Sequence, residues 1–120
     1  MELNDYYSYI HSIEYALPKN ILNNEELTKL YPEWSSDKIL KKTGISSRSI
    51  VDQNDCASDL AITAAEHLFA QDPCSREDIE FILLCTQSPD YMLPTTACII
   101  QDRLGCNNSV GALDFNLGCS

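Results

Sequence analysis

The stretch EFILLCTQSPDYMLPTTACIIQDRLG, residues 80–105, decides the fold. Its first part, Glu80–Thr86, is a continuous apolar run, which is typical of a β-strand covered on both faces. The segment QSPDYMLP is rich in turn-forming residues, and Pro94 favours the first turn of a helix that ends at Gly105. A second apolar run, VGALDFN at 110–116, predicts another buried strand. A buried strand, a helix and a second buried strand in this order indicate an α/β protein.

The sequence before this stretch predicts one long helix. In DCASDLAITAAEHLFAQ, residues 55–71, the apolar side chains recur at helical spacing and so form one continuous face. This face consists of Ala57, Leu60, Ala61, Ala64, Ala65, Leu68 and Phe69. Its four alanines would let another helix or a sheet approach closely. Ser75 and Asp78 then start a new turn.

The first fifty residues predict two further strands. Residues 6–13, YYSYIHSI, combine aromatic and β-branched types, which favour strands, and Pro18 ends this segment. Residues 47–51 predict a second, short strand. A sheet with buried central strands needs neighbours on both sides, and this sequence supplies few. The fold is therefore expected to be incomplete.

Two short helices are predicted between these strands. Asn23 and Glu26 form a capping-box pattern, which starts the first helix. Ser35 or Ser36 caps a second helix over DKILKK, and Gly44 is well placed to end it.

Composition and charge limit the class of protein. The chain has 120 residues, enough for one domain, and a formal net charge of −10. An acidic surface repels the phosphates of nucleic acids, so nucleic-acid binding is not expected. No apolar run is long enough to span a membrane, and the acidic, aromatic start is unlike a signal peptide. We therefore expect a cytoplasmic protein that binds neither nucleic acids nor membranes.

Six cysteines are spread along the chain without a C-x-x-C pair. Zinc sites usually contain such close pairs, so no metal site is predicted. A disulfide framework is typical of exported proteins, and no export signal is found here. We expect five of the thiols to be reduced and mostly buried: Cys56, Cys74, Cys85, Cys98 and Cys106.

The sixth cysteine, Cys119, follows the last predicted strand directly after Gly118. If a helix begins at this point, its partial positive charge would stabilise a thiolate, and its free amides would hold the oxyanion of an acyl-transfer intermediate. Gly118 would let the backbone bend sharply and a substrate approach. These are the needs of covalent thioester chemistry. The alternative from these residues alone is a buried structural cysteine beside a turn.

Four segments together carry a family resemblance: LPKNILNNEEL, KKTGISSR, LLCTQSPDYMLPTTACIIQDRLG and ALDFNLGCS. In this order and spacing they resemble β-ketoacyl-[acyl-carrier-protein] synthase III, a thiolase-like condensing enzyme. The resemblance covers nearly the whole chain. It implies an incomplete thiolase-like layered α/β fold, the N-terminal part of the first half, with a mixed sheet and flanking helices. Residues 1–120 would be the N-terminal portion of a synthase domain, ending at the nucleophile.

The resemblance also implies an acyltransferase activity. Cys119 matches the cysteine that takes an acyl group from acyl-CoA in this family. The carbanion from decarboxylated malonyl-acyl carrier protein then attacks the acyl-enzyme and gives a 3-oxoacyl product. The family's catalytic His and Asn lie beyond residue 120, and neither His11 nor His67 matches that His. This chain alone is therefore expected to be inactive in condensation, and His67 is expected to be a partly buried helix residue.

Two other functions remain open from the sequence. A half-length chain could be a non-catalytic module that binds acyl carrier protein or serves as a scaffold for a second polypeptide. A thiol-dependent hydrolase is the third possibility, and it would need a His close to Cys119 in space.

Three residues are candidates for binding coenzyme A or phosphopantetheine, whose thioesters enter as substrates rather than as resident cofactors. Lys38 occupies the position of a family tryptophan that stacks on adenine, and Lys42 replaces an arginine but keeps a charge for phosphate. Trp34 lies one helical turn earlier and would supply the stack from a displaced position, or it caps a hydrophobic seam at the surface. Lys41 and Arg48 complete a basic cluster, which would dock phosphate or an acidic carrier protein, or form a solvated helix end.

Leu93 stands directly before Pro94. At this position the family has a bulky residue that crosses the dimer interface and lines the partner's acyl pocket. The resemblance therefore implies a homo-oligomer, and we expect association through residues 86–104. The alternative for Leu93 is a helix staple that packs on the next turn.

Overall fold

The computed structural model describes residues 7–71 and 74–117. Its helices are α1 (Asn24–Leu30), α2 (Ser36–Thr43), α3 (Ala57–Gln71) and α4 (Thr96–Arg103). Its strands are β1 (Asn20–Asn23), β2 (Ser47–Ile50), β3 (Phe81–Cys85) and β4 (Gly111–Phe115). A 3₁₀ turn, Arg76–Asp78, precedes β3.

Capping residues fix the ends of the short helices, which confirms their predicted positions. The side chain of Asn23 accepts a hydrogen bond from the amide of Glu26 at 2.8 Å, and the Glu26 carboxylate accepts one from the Asn23 amide. Ser35 accepts a hydrogen bond from the amide of Lys38 and so caps α2. Gly44 ends α2 with a φ of 71°, a left-handed conformation that favours glycine.

Strands β1 and β2 form an antiparallel pair that carries α1 and α2. Asn24, the first residue of α1, is only 2% exposed. Its amide group donates a hydrogen bond to the carbonyl of Ile45 at 2.8 Å and accepts one from Arg48 at 2.7 Å. Buried polar groups of this kind need such partners. The contacts of Asn24 therefore fasten the first helix to the second strand.

Strands β3 and β4 form a parallel pair, with Leu83 opposite Leu113. Helix α4 lies between them in the chain and packs against both strands, and α3 packs against α4. The core of this unit consists of Ile100, Leu104, Cys106 and Val110. Around it pack Ala61, Ile62, Ala65, Phe69, Ile79, Ile82 and Leu84. Burial of this apolar surface is the main stabilising term for the unit.

The architecture is α/β, as the sequence predicts. Among the described residues both strand orientations occur, but in two separate two-stranded sheets, β1–β2 and β3–β4. Helix α3 covers most of the predicted 55–71 segment, and Ala61, Ala65 and Phe69 of its predicted apolar face pack on the core.

The predicted strand at residues 6–13 is wrong for the part that the structure describes. Residues 7–18 belong to no helix or strand, and Tyr9 and Ile13 are 80% and 75% exposed. Aromatic and β-branched side chains favour strands, but a strand forms only where a neighbour completes its backbone hydrogen bonds. No described strand pairs with this segment.

Two expectations about burial are also wrong. Strand β3 is covered on one face only, because exposure alternates along it and Phe81 and Leu83 are 56% and 64% exposed. Strand β4, also expected to be buried, has Leu113 and Phe115 exposed by 49% and 44%. Of the five cysteines expected to be mostly buried, only Cys106 is buried. Cys85 is exposed because it lies on the same open face as Leu83, and Cys56 is exposed in the segment before α3.

Candidate functional site

The carboxyl ends of β3 and β4 lie side by side, because the two strands are parallel and in register. The amide of Thr86 donates a hydrogen bond to the carbonyl of Phe115 at 3.0 Å, which extends the pairing past the end of β3. Ligand sites in α/β proteins commonly lie beyond the carboxyl ends of such strands. The predicted nucleophile Cys119 lies outside the described residues, and β4 leads to it through Asn116 and Leu117.

A cavity of about 320 Å³ opens at this edge of the sheet. The loop after β3 and the end of β4 line it with Thr86, Gln87, Pro89, Tyr91, Met92, Thr95, Asp114, Phe115 and Asn116. Aromatic and apolar side chains form part of the wall, and amide and hydroxyl groups and the aspartate Asp114 form the rest. Mixed linings of this kind suit a small ligand with one apolar and one polar end.

Asp114, the next-to-last residue of β4, caps helix α4. Its two carboxylate oxygens accept hydrogen bonds from the amides of Thr96 and Ala97, at 2.6 and 2.7 Å. A negative charge at a helix N-terminus satisfies free amides and is attracted by the helix dipole. This role of Asp114 was not predicted from the sequence. The available signal was a lone carboxylate in an otherwise apolar strand, which is costly unless it has a partner.

The loop between β3 and α4 is held from two sides. The amide of Asp90 donates a hydrogen bond to the hydroxyl of Thr96 at 3.1 Å, and its carboxylate accepts one from the amide of Ser58 at 3.2 Å. Thr96 and Ser58 are 0% and 1% exposed. Because both partners are buried, Asp90 fixes the loop between the starts of α3 and α4.

Arg103, the last residue of α4, extends this network to the first turn of α3. Its guanidinium donates a hydrogen bond to the hydroxyl of Ser58 at 2.9 Å and forms an ion pair with Asp59 at 2.8 Å. The amide of Cys56 donates a hydrogen bond to the Asp59 carboxylate and, together with Arg103, lowers the pKa of Asp59. The network therefore joins both helices to the loop that lines the cavity.

A second cluster consists of Trp34, two residues before α2, and two lysines of that helix. The ammonium groups of Lys38 and Lys42 lie 4.4 and 5.7 Å from the centroid of the Trp34 ring. The structure thus brings together the three residues proposed for the coenzyme A entrance. Arg48 is engaged elsewhere, because its guanidinium bonds Asn24 in the β1–β2 unit. Lys41 is exposed on α2.

The loop that carries Leu93 presents its apolar side chains to solvent. Tyr91, Met92 and Leu93 are 64%, 96% and 81% exposed. Leu93 is therefore not a staple packed on the next helical turn. Exposed apolar side chains in a row mark a surface suited to contact with another molecule.

Neither histidine lines the cavity or belongs to the Trp34 cluster. His67 is exposed on α3, so the expectation of partial burial is wrong. The ring of His11 lies edge-on to Tyr9, with the centroids 6.1 Å apart. Within residues 7–71 and 74–117 no group of three metal-ligating side chains comes together. None of the helices in these ranges has the length and apolar character of a membrane span.

The described thiols differ in environment. Burial raises the pKa of the Cys106 thiol, and the positive charge of Arg76 opposes this effect. Cys85, by contrast, is exposed, and its sulfur lies 3.9 Å from the carbonyl of Leu117, near the end of the described chain.

Comparison with known proteins gives a consistent family. No family model matches the chain. It is 38% identical over 106 residues to a β-ketoacyl-[acyl-carrier-protein] synthase III of Syntrophomonas wolfei, covering 88% of this chain and 31% of that protein. It is 43% identical over 104 residues to a protein of the same name from Clostridium perfringens, covering 86% and 31%.

The fold agrees with these sequences. A crystal structure of a 3-oxoacyl-(acyl-carrier-protein) synthase III superposes with a TM-score of 0.85 and 50% identity, covering 92% of this chain and 33% of that one. The chain spans about a third of the length of the relatives it matches.

Proposed function

We propose, for a chain with the sequence and fold of an N-terminal portion of a β-ketoacyl-[acyl-carrier-protein] synthase III, that it provides the acyl-accepting part of a condensing acyltransferase. The observation that carries the proposal is the shared edge of β3 and β4. There the loop after β3 and the strand leading to Cys119 line one cavity. Together with the relatives' names, this arrangement supports acyl transfer to Cys119.

The proposed chemistry begins with the Cys119 thiolate. It attacks the thioester carbonyl of the acyl donor, the tetrahedral intermediate collapses, and the donor's thiolate leaves and takes a proton from water. The acyl group is then held as a thioester on Cys119. In the complete reaction the carbanion formed by decarboxylation of malonyl-acyl carrier protein attacks this thioester and releases the 3-oxoacyl product.

The chain by itself is proposed to stop after the first half of this reaction. Decarboxylation in the family uses a His and an Asn that the resemblance places beyond residue 120. His67, on the exposed surface of α3, does not replace them. The expected product of this chain is therefore an acyl-enzyme without condensation.

Mass spectrometry of the intact chain tests the acyl transfer. After incubation with a short acyl-CoA, we expect one added acyl group, which peptide mapping assigns to Cys119. Cys119→Ala should abolish the adduct, and the control Cys56→Ala, which removes an exposed thiol of the described chain, should retain it. An adduct spread over several cysteines, or none at all, would contradict the proposal.

The Trp34 cluster is the proposed entrance for coenzyme A. A cation–π contact at an exposed site contributes only about 0.5–1 kcal/mol, so adenine can displace the lysines from the ring while their charges meet phosphate. The thioester would enter as a substrate, with no resident cofactor or metal. Acyl carrier protein, which carries the same phosphopantetheine group, would approach over the same basic residues.

Truncated substrates test this entrance. Trp34→Ala should weaken acylation by acyl-CoA by ~10-fold, since stacking on a base is worth about 1–3 kcal/mol. It should leave acylation by acyl-pantetheine, which lacks adenine, unchanged. Lys29→Ala, which removes an exposed lysine from α1, is the matched control. Equal losses with both donors would place Trp34 outside the coenzyme A site.

The apolar loop is the proposed route to a homo-oligomer, in the cytoplasm where both acyl donors occur. Leu93→Asn should lower the association measured by analytical ultracentrifugation. Leu30→Asn removes a leucine of similar exposure, 68%, from α1 and should have no effect. A wild-type chain that stays monomeric at micromolar concentration would sink this part of the proposal.

The alternative is a non-catalytic half-domain that binds acyl carrier protein or serves as a scaffold. The exposed apolar loop and the lysines of α2 favour it, because both would serve docking without chemistry. Iodoacetamide separates the two functions. If Cys119 reacts no faster than the exposed thiols Cys56 and Cys85, the scaffold function is favoured.

A further inference from the structure

We propose that Asp114 is a positioning residue for acyl transfer, through the contact by which its carboxylate holds the first turn of α4 against β4. The inference rests on the proposed function of Cys119. In this proposal Asp114 fixes the distance between two parts of the site, which are the strand that leads to Cys119 and the loop at residues 86–95.

The geometry of the contact is that of a non-local helix cap. Both carboxylate oxygens of Asp114 accept hydrogen bonds from backbone amides, those of Thr96 and Ala97. These two residues lie 18 and 17 positions earlier in the chain. Thr95, the residue that would ordinarily cap α4, makes no side-chain cap hydrogen bond. Its hydroxyl instead points to the sulfur of Cys98 at 3.1 Å. The start of α4 is therefore capped from the strand and not by its own sequence.

The cap is linked to the cavity loop through one buried side chain. The amide of Thr96 donates a hydrogen bond to the Asp114 carboxylate, and the hydroxyl of Thr96 accepts one from the amide of Asp90. The carboxylate of Asp90 in turn accepts a hydrogen bond from the amide of Ser58 at the start of α3. Movement of Asp114 would thus be passed through Thr96 to the loop, and Thr96 is fully buried, with no solvent to replace a lost partner.

A cap that served stability alone would not need a charge on a neighbouring strand. Serine or threonine at the N-cap position satisfies a helix start locally, as Ser35 does for α2. The strand-borne carboxylate adds a fixed distance between β4 and α4. Asp114 and Thr95 both line the cavity, so this distance contributes to its shape.

The test compares two reactions of Cys119 in one set of variants. Acylation by acyl-pantetheine requires the substrate to be held in the cavity, whereas alkylation by iodoacetamide requires only an accessible thiolate. Asp114→Asn keeps the size of the side chain but loses the charge and one acceptor oxygen. We expect acylation to fall by about 10- to 100-fold, since displacement of a reacting group by ~1 Å costs up to about 100-fold. The rate of alkylation should stay within about threefold of wild type, because alkylation needs only an accessible thiolate and the substitution does not change Cys119 itself.

Amide hydrogen exchange supplies the structural readout. The amides of Thr96 and Ala97 should exchange faster in Asp114→Asn, while the amide of Leu104, which bonds Ile100 at the other end of α4, should keep its protection. Asp102→Asn is the matched control, because Asp102 is an exposed aspartate on the same helix. It should match wild type in every measurement.

The outcomes separate this inference from the function on which it rests. A wild-type chain that takes up no acyl group overturns the proposed function and the inference together. Normal wild-type acylation with unchanged acylation in Asp114→Asn overturns only the inference. Loss of acylation together with lost protection of the Leu104 amide would mean general unfolding and would also count against it.

A second variant covers the case in which Asp114→Asn does not fold. Thr96→Val keeps the shape of the buried side chain and the amide that bonds Asp114, but removes the hydroxyl that accepts from Asp90. We expect a smaller loss of acylation, about threefold to tenfold, again without a loss of alkylation. Unchanged acylation in Thr96→Val would break the proposed link between Asp114 and the loop.

Discussion

The two faces of the β3–β4 sheet differ sharply in their surroundings. On the inner face Ile82 and Leu84 pack against the core beneath α4. On the outer face Phe81, Leu83 and Leu113 are 56%, 64% and 49% exposed. Both faces come from the same apolar segments, so composition does not distinguish them. The difference teaches that the described residues cover only one of the two faces that the sequence makes apolar.

The exposed outer face of the β3–β4 sheet can be compared with the length of the relatives. The chain spans about a third of the proteins it matches. Strands that are apolar on both faces are typical of sheets packed between two layers. The outer face therefore has the composition of a surface suited to a second packed layer. The predictions below measure how differently the two faces behave.

The largest effect is expected beneath the inner face. Ile100→Ala should lower the free energy of unfolding by about 2–5 kcal/mol, because Ile100 is 4% exposed and its loss leaves a cavity. Chemical denaturation monitored by circular dichroism measures the change. A loss below about 1 kcal/mol would show that the inner face is not a packed core.

Two cysteines report on the faces without large substitutions. Cys106 belongs to the inner core and Cys85 lies on the outer face. Iodoacetamide should alkylate Cys85 at least ~100-fold faster, since Cys106 must wait for an opening of the structure. Peptide mapping after timed quenching gives both rates in one sample, and equal rates would contradict the assignment of the faces.

The pH dependence of stability follows from the same buried thiol. Burial raises the pKa of Cys106, so the folded chain binds this proton more tightly than the unfolded chain does. Its contribution to stability is present below the ordinary thiol pKa and is lost as the pH rises through the raised value. Cys106→Ala should therefore flatten the alkaline decline of the melting temperature, measured by thermal denaturation over a series of pH values.

A matched pair of leucines compares the faces directly. Leu84→Ala on the inner face should cost about 1–2 kcal/mol, less than a fully buried residue because Leu84 is only half-buried. Leu83→Ala on the outer face should change stability by less than ~0.5 kcal/mol, as surface substitutions usually do. Leu83→Ala should also reduce binding of an apolar dye. Similar costs at the two positions would mean that the outer face is covered in solution.

The smallest effect is expected at Gly111. A Cβ at this position would lie 2.3 Å from Cε2 of the Phe81 ring. Because that ring is 56% exposed, it can swing away, and Gly111→Ala should cost less than ~1 kcal/mol by denaturation. A larger cost would indicate that the outer face holds Phe81 firmly.

Local signals located the short helices well. The capping residues Asn23 and Ser35 and the left-handed Gly44 were identified from the sequence because a cap is formed within a few residues. The α4 cap was missed because its carboxylate, Asp114, belongs to a distant strand. The prediction for Cys119 stays a prediction, since the described residues end at Leu117.

The sequence by itself determined the four helices, the strands β2, β3 and β4, their order and the α/β class, because helical period, caps and apolar runs are properties of neighbouring residues. Strand β1 was not predicted. It also carried the resemblance that the relatives and the matching fold support. Only the tertiary structure decided which face of β3 is covered, that residues 7–18 stay outside the sheets, and that Asp114 caps α4. These features depend on contacts between residues far apart in the chain. The hydrophobic pattern indicates that a surface must be covered, but it does not identify the segment that covers it.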